Sequence, residues 1–433
     1  MDEKTQGKED VMTIHVVQRG ESLFAIARRY GVTAAELTYA NQLQSPGTLA
    51  VGQALVIPAD EVLHTVRRGE SVYSIARSFG VSPAAVQMAN PGAGGRIYPG
   101  QTLRIPFPND NLGSMLVNGY VSSSTEQRLR QTLPYLSFLS PSFFRLDAAG
   151  ELTREFYLDP DLSAEYNTAN LLTVANTRPD GGFSSAVAHA LLTDQEVQDT
   201  FVEELLNLLE GGEWYGVNLD LEYVYQYDRA SYNQFLRRLT ELLHARGYLV
   251  ITALAPKLRA NQSGLLYEAH DYAFHGATAD YVILMTYEWG YMYGPAMAVA
   301  PVNMVRRVLD YAVSEMPAGK ILMGMPNYGY DWTLPFVQGS AARPLTNVGA
   351  VTLAGNVGAE IRFDAEAQSP WFNYVDSAGR RHEVWFEDAR SLRAKYRLVD
   401  EYGLAGVSFW NLNSLFRTNF LVLESMFSVE KVL

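Results

Sequence analysis

Hydrophobic and polar positions in the long C-terminal part of the chain follow two alternating periods. Apolar residues recur with a helical period at 194–209, 229–246 and 302–314, which predicts amphipathic helices there. Shorter apolar runs between such segments are typical of strands. The predicted strands are 115–121, 135–139, 171–175, 216–222, 249–255, 281–287, 321–325 and 406–410.

Eight strands over about 320 residues, mostly separated by helices, predict an α/β fold with a closed (β/α)8 barrel, a TIM barrel. We expect this barrel to occupy residues 111–433. Residues 328–388 break the alternation and are predicted to form an α+β insertion after the seventh strand. Catalytic residues of such barrels lie at the C-terminal ends of the strands, so candidate chemistry is expected there.

The N-terminal part contains one sequence pattern twice, 49 residues apart. The copies open at His15 and His64 with His-x-Val-x-Arg-Gly-Glu-Ser, and both close on Gly-Gln-x-Leu-x-Ile-Pro. Each copy predicts a small βααβ domain, at 13–59 and 62–107, after a polar tail at 1–12 and before a proline-rich linker ending near 111. A unit this small has a thin core and a shallow groove, which favours binding over catalysis.

This repeated pattern resembles the LysM module. The resemblance implies binding of N-acetylglucosamine-containing glycans, such as peptidoglycan or chitin, between the first turn and the loop before the last strand. The implied glycan-binding residues are Gly20, Glu21, Ser22 and Leu23 in the first copy and Gly69, Glu70, Ser71 and Val72 in the second. The alternative interpretation is that the repeats are only spacers.

Composition narrows the possible partners and compartments. The chain has no cysteine, which excludes disulfides and thiolate metal ligands, and no apolar run long enough to cross a bilayer. Residues 1–110 carry ten charges of each sign, so the whole net charge of −13 lies in residues 111–433. An acidic catalytic region argues against nucleic acid or an anionic membrane as partner. The seven histidines do not have the spacing of metal ligands, so we expect no metal or cofactor. We also expect the protein to be a monomer.

Three Asp-x-Glu pairs are candidates for acid–base chemistry, and two have a simpler explanation. The pair at 194 and 196 opens a helix, where acids stabilise the N-terminus. The pair at 364 and 366 lies in the insertion without periodic context. Only Asp220 and Glu222 lie in a predicted barrel strand.

Around this pair, polar and aliphatic residues alternate, which places Asn218, Asp220 and Glu222 on one face of the strand. Val217, Leu219 and Leu221 would then face the helices, leaving the polar residues inside the barrel. Two buried acids that were both charged would cost several kcal/mol, so their pKa values should separate. One ionised and one protonated carboxyl form a general-acid arrangement. The alternative is a purely structural pair.

Residues 215–222 resemble the family 18 glycoside hydrolase motif Asp-Gly-x-Asp-x-Asp-x-Glu. Other strand ends match the same family: Met-Thr-Tyr-Glu at 285–288, Gly-Val-Ser-Phe-Trp at 406–410 and Asn-Gly-Tyr at 118–120. The resemblance implies a retaining mechanism in which the 2-acetamido group of the substrate is the nucleophile. The implied catalytic residues are Glu222, Asp220, Asn218 and Tyr287. The implied substrate-binding residues are Trp410, Tyr120, Met285, Glu288, Asn327 and Tyr328.

In this scheme Glu222 is the proton donor and then the base, and Asp220 orients the substrate amide. Tyr287 donates a hydrogen bond to the amide oxygen, and Trp410 stacks on the sugar. The chain departs from the family motif at Tyr215, at Asn218 and at 288, where Asp is usual and Glu stands. We expect Asn218 to hydrogen-bond Asp220 and to lower its pKa relative to an all-acid trio.

The combination of LysM repeats with these barrel motifs is similar to the spore cortex-lytic N-acetylglucosaminidases of endospore-forming bacteria. That resemblance implies hydrolysis after N-acetylglucosamine in cortex peptidoglycan during germination. It also implies a place in the spore envelope. The polar N-terminus predicts synthesis without a secretory signal peptide. The alternatives are a chitinase or endo-N-acetylglucosaminidase on other glycans, a family 18 lectin, or a structural coat protein.

Overall fold

The computed structural model describes residues 13–45, 47–59, 61–79, 81, 83–90, 97–106, 112–141, 143–155, 160–212 and 214–433. The predicted tail at 1–12 and most of the predicted linker, 107–111, lie outside the described residues. Among the described residues, no helix combines the length and apolar character needed to span a membrane. They also contain no group of three or more acidic, His or Cys residues that could hold a metal ion.

Each N-terminal repeat forms two antiparallel strands around two helices, which confirms the predicted βααβ arrangement. The first module comprises Ile14–Val16, Leu23–Tyr30, Ala34–Ala40 and Ala54–Val56. The second comprises Glu61–Thr65, Val72–Phe79, Pro83–Ala89 and Thr102–Pro106. Ser22 caps the first helix by accepting from the Ala25 amide, and Thr33 and Glu36 form a capping box on the next.

The long segment forms a closed barrel of eight parallel strands, as predicted. The strands are Ser114–Val121, Phe138–Pro141, Ala169–Ala175, Gly216–Asp220, Leu249–Leu254, Tyr281–Leu284, Ile321–Pro326 and Gly406–Trp410. The eighth strand pairs with both the seventh and the first, which closes the ring.

Helices surround the barrel and cover its outer face. They are Glu126–Thr132, Pro160–Ala164, Ser185–Thr193, Gln195–Glu210, Arg229–His244, Tyr272–Thr278, Val302–Glu315, Ala389–Tyr402 and Arg417–Met426. A hairpin, Phe144–Leu146 with Leu152–Arg154, extends the sheet beside the third strand, and Ser428–Val429 pairs with the first strand.

Eight predicted strand ends differ from the observed ones by one to three residues. Three of these differences have a local cause or move a site residue out of its strand. The second strand begins at Phe138 rather than 135, because Leu133–Tyr135 is a 3-10 turn that contains a proline. The fourth strand ends at Asp220 and the sixth at Leu284, before Glu222 and before residue 287. The segments that carry Glu222 and Tyr287 therefore continue as loops beyond the C-terminal ends of their strands.

Residues 328–388 form the predicted α+β insertion. Its strands, Gly329–Leu334, Arg343–Leu345, Arg362–Asp364, Ser369–Val375 and Arg381–Trp385, make an antiparallel sheet with the helix Asn347–Val357. The first strand of this sheet lies between the second and the fifth.

The fourth barrel strand shows the predicted alternation of faces. Val217, Leu219 and Leu221 are fully buried in the hydrophobic cluster between the barrel and its helices. Asn218 and Asp220 are also buried but point to the barrel interior, so the column of polar side chains there is confirmed.

Candidate active site

A cavity of about 310 Å³ opens at the C-terminal ends of the barrel strands. Six predicted site residues line it: Asp220, Glu222, Met285, Tyr287, Glu288 and Trp410. The sequence interpretation missed seven further lining residues: Phe183, Pro256, Leu258, Gln262, Leu266, Tyr267 and Trp289. These lie mostly in loops after the third, fifth and sixth strands, where no periodic pattern marks a residue as facing the site.

Asp220 and Glu222 lie together in this cavity, and burial raises the pKa of both. The pKa of Asp220 rises to about 7. The pKa of Glu222 rises well above its usual value through burial, and then through the negative charges of Asp220 and Glu288. Glu222 is therefore the carboxyl that holds its proton to higher pH, in the order that a general acid beside an ionised partner requires.

The backbone of Glu222 is fixed by Asn176, a residue that the sequence did not single out. The Glu222 amide donates to Asn176 Oδ1 at 3.0 Å, and Asn176 Nδ2 donates to the Glu222 carbonyl at 2.8 Å. This pair of hydrogen bonds replaces strand pairing just beyond the end of the fourth strand. It holds the proton donor in place while its side chain faces the cavity.

Asn218 does not bond Asp220 as expected. Its Nδ2 donates to the Tyr120 hydroxyl at 2.8 Å and to Ser140 Oγ at 3.3 Å, because these hydroxyls of the first two strands face it across the barrel. Asp220 Oδ1 is buried without a hydrogen-bond partner in the part of the chain that the structure describes. The carboxylate thus keeps an acceptor that a substrate N–H could use.

Trp410 and Tyr287 are the two predicted aromatic residues of the cavity, which Phe183, Tyr267 and Trp289 also line. Trp410 packs edge to face on Tyr120, with ring centroids 5.3 Å apart, so Tyr120 supports the floor and is buried beneath it. Burial raises the pKa of Tyr287 well above its usual value, so its hydroxyl stays a hydrogen-bond donor. Gly324 makes room for this ring, since a Cβ there would lie 2.8 Å from Tyr287 Cε1.

Three of the predicted substrate-binding residues are absent from the cavity lining and support it from behind. Tyr120 lies under the tryptophan. Tyr328 donates its hydroxyl to Glu288, which also accepts from the Tyr330 hydroxyl at 3.0 Å. Asn327 Nδ2 donates to the carbonyls of Asn411 and Ser414 at 2.8 and 2.9 Å, which ties down the loop after the eighth strand.

Comparison with known proteins agrees with this geometry. The profile of glycosyl hydrolases family 18 matches residues 117–414. The chain belongs to this family. The LysM domain profile matches residues 15–58 and 64–106, so the family 18 barrel follows two LysM domains.

Full-length relatives share this arrangement. The chain is 42% identical to a cortical fragment-lytic enzyme of Bacillus subtilis, over 97% of this chain and 99% of the relative. It superposes on the crystal structure of the spore cortex-lytic enzyme SleL of Bacillus megaterium with a TM-score of 0.87 at 35% identity, covering 98% and 100% of the two chains. A chitinase from Chromobacterium violaceum is 29% identical with a TM-score of 0.65, over 72% of this chain and 99% of that one.

The predicted glycan-binding turns of the LysM domains use their carboxylates internally. Glu21 Oε2 lies 2.7 Å from His15 Nε2, and the equivalent Glu70 lies 2.7 Å from His64 Nε2. Both also accept a backbone N–H of their own turn. The Leu23 side chain is buried in the module core. These side chains therefore shape the turn, and a glycan would meet its backbone and neighbouring exposed residues.

Proposed function

We propose that this family 18 enzyme hydrolyses spore cortex peptidoglycan, cleaving after N-acetylglucosamine by a retaining, substrate-assisted mechanism. The observation that carries the proposal is the buried Asp220–Glu222 pair. One carboxyl keeps its proton, and the other presents an unpartnered oxygen into the same cavity.

In the first step the 2-acetamido carbonyl oxygen of the substrate attacks C1 of its own sugar. Glu222 gives its proton to the departing glycosidic oxygen, and an oxazolinium ion forms. Attack from within the sugar requires no separate encounter. Asp220 accepts the amide N–H and stabilises the positive charge, while Tyr287 donates to the amide oxygen.

In the second step Glu222, now a carboxylate, takes a proton from water, and the water oxygen adds to C1. The ring of the oxazolinium opens and the acetamido group is restored, so Glu222 is protonated again. Two inversions at C1 give net retention. Trp410 offers an aromatic face for the sugar at the floor of the cavity.

The choice of cortex peptidoglycan is supported by the relatives, whose names refer to cortical fragments and the spore cortex and whose sequences span nearly the whole chain. We infer an endospore-associated location and a role in germination on the same grounds. The LysM domains support a glycan that contains N-acetylglucosamine.

The test is digestion of purified cortex fragments with mass spectrometry of the products. The proposal predicts fragments with N-acetylglucosamine at the new reducing end, and NMR should show the retained anomer first. Glu222→Gln is the matched control, because it keeps size and polarity but cannot donate the proton. Products ending in muramic acid, or release unchanged by Glu222→Gln, would refute the proposal. Faster cleavage of chitooligosaccharides than of cortex fragments would favour a chitinase instead.

A further inference from the structure

The two LysM modules have the same fold but different surroundings. In the first module, the two ends of the loop between the second helix and the last strand, residues 41–43 and 49–53, pack against the barrel and its insertion. In the second module, the end of the equivalent loop at 98–100 is exposed to solvent. Equivalent positions of one repeated sequence can therefore be compared directly.

One end of the first module's loop is held by the barrel helix that begins at Arg417. Gln42 Nε2 donates to the Leu415 carbonyl at 3.1 Å, and Gln42 Oε1 accepts from the Arg417 amide at 2.6 Å. The Arg417 guanidinium lies 3.8 Å from the centre of the Tyr39 ring and donates to the Tyr39 carbonyl. Both polar atoms of the Gln42 side-chain amide are therefore engaged by the barrel.

The other end of the loop is held by the insertion and the helix that follows it. The Ile361 amide donates to the Val51 carbonyl at 2.8 Å, and Arg390 donates to the Gly52 carbonyl at 3.2 Å. Ala50 is buried within the hydrophobic cluster of the insertion. This end of the loop, residues 49–53, is thus covered by protein and offers little surface to a ligand, whereas Gln44, Ser45, Gly47 and Thr48 in its middle are exposed.

The equivalent positions of the second module are open. Tyr98 stands where the first module has Ala50, and 65% of its surface is exposed. Gly52 and Gly100 both have positive φ, 82° and 88°. A Cβ on Gly52 would lie 1.8 Å from the Ile361 carbonyl oxygen, whereas a Cβ on Gly100 would have nothing within 4 Å.

The open loop of the second module lies beside the first turn of that module. Gly100 donates to the Val66 carbonyl at 2.8 Å, and the Val66 amide donates to the Gln101 carbonyl at 2.8 Å. Tyr73, 66% exposed, follows the same turn. Two exposed tyrosines on neighbouring segments provide aromatic faces suited to the apolar faces of sugar rings.

The second module is also basic. Residues 61–106 contain five arginines and two acidic residues, Glu70 and Glu61, the latter paired with Arg104, while residues 111–433 carry the net charge of −13. A glycan that bears carboxylates on peptide side chains is attracted to such a surface and repelled by the acidic barrel. Charge therefore favours a peptide-bearing strand over an uncharged one.

We propose that the two modules have different tasks: the first attaches the pair to the barrel, and the second binds the carboxylate-bearing glycan strand through Tyr73 and Tyr98. The choice of glycan rests on the proposed function. The division of tasks rests on the contacts of the two loops.

Binding is measured by co-sedimentation of the full-length Glu222→Gln protein with insoluble cortex peptidoglycan. In this background, Tyr98→Ala or Tyr73→Ala should raise Kd by about tenfold or more, because each removes an exposed aromatic contact. Phe24→Ala is the matched control: it is the first-module equivalent of Tyr73 and is 72% exposed. It should change Kd by less than about twofold.

The attachment is tested with the glycine pair. Gly52→Ala and Gly100→Ala add the same methyl group at similar positive φ, so their backbone strain is comparable. Only Gly52→Ala should separate module and barrel, seen as faster proteolysis between them and a lower unfolding midpoint. Peptidoglycan binding should survive in Gly52→Ala, because the second module is untouched.

The division of tasks would be overturned if Phe24→Ala and Tyr98→Ala affected binding equally, or if neither affected it. It would also be overturned if the two glycine variants had equal effects. Equally tight binding to uncharged chitin would overturn the choice of a carboxylate-bearing strand. Cleavage of a short soluble oligosaccharide by the wild-type enzyme tests the proposed function separately. If the wild-type enzyme did not cleave this oligosaccharide, the proposed catalysis would be refuted, while the binding measurements on the variants could still be interpreted.

Discussion

Asn218 stands where the family 18 motif has an aspartate, and Asn218→Asp should shift the pH dependence of catalysis. Alternate residues on one strand face lie about 6.6 Å apart. At an effective dielectric constant of about 20, two charges at that distance repel by about 2.5 kcal/mol, which equals about 1.8 pKa units. The new carboxylate could accept from the Tyr120 hydroxyl, which now accepts from Asn218, so its charged form is supported.

The sign of the shift follows from the role of Asp220. Asp220 must be ionised to stabilise the oxazolinium, and burial has already raised its pKa to about 7. A second negative charge raises the pKa of Asp220 further. As the pH falls, the variant therefore loses activity at a higher pH than the wild-type enzyme does. We expect the acidic limb of kcat/KM to move up by about one to two pH units, 1.8 being the limit for a fully charged neighbour.

The assay is kcat/KM on soluble cortex fragments from about pH 4 to 10, which reports groups of the free enzyme. Asn218→Leu is the control: it removes the hydrogen bonds to Tyr120 and Ser140 without adding charge, so it should lower activity and leave the limb in place. The electrostatic reasoning would be refuted if the acidic limb of a folded Asn218→Asp protein were unchanged or moved to lower pH.

Three further substitutions test other parts of the structure. Because the pKa of Asp220 is 3.8 ordinarily and about 7 when folded, its ionisation opposes folding increasingly between these two values and fully above about pH 7. Asp220→Asn should therefore stabilise the protein by about 1–3 kcal/mol at pH 8, measured by denaturant unfolding, and give no gain at pH 4. Gly324→Ala should lower kcat/KM by about tenfold, because its Cβ would lie 2.5 Å from the Leu284 carbonyl oxygen and 2.8 Å from Tyr287 Cε1 and so displace the segment that carries Tyr287; a normal rate would contradict the close packing. Lys395→Met should cost about 3–5 kcal/mol by leaving Glu387 buried and unpaired, and adding Glu387→Gln should recover much of the loss.

The sequence was a good guide wherever a repeating period carried the information. Alternation along the fourth strand predicted that Asp220 and Glu222 share one face, and both line the cavity although Glu222 lies just beyond the end of the strand. The duplicated pattern predicted both LysM modules. It was a poor guide to hydrogen-bond partners. Asn327 was expected to contact substrate but fixes the loop after the eighth strand, and Asn176 carried no sequence signal although it holds Glu222.

Periodicity by itself determined the barrel, the two modules and the face on which the acidic pair lies, because each depends on residues close together in the chain. The tertiary structure decided which carboxyl keeps its proton, since burial and the charge of Glu288, contributed by another strand end, set that order. It also decided that the end of one LysM loop is covered and the end of the other is open. The two repeats differ in sequence there, with Ala50 in the first where the second has Tyr98, but no local pattern encodes a neighbour more than 300 residues away.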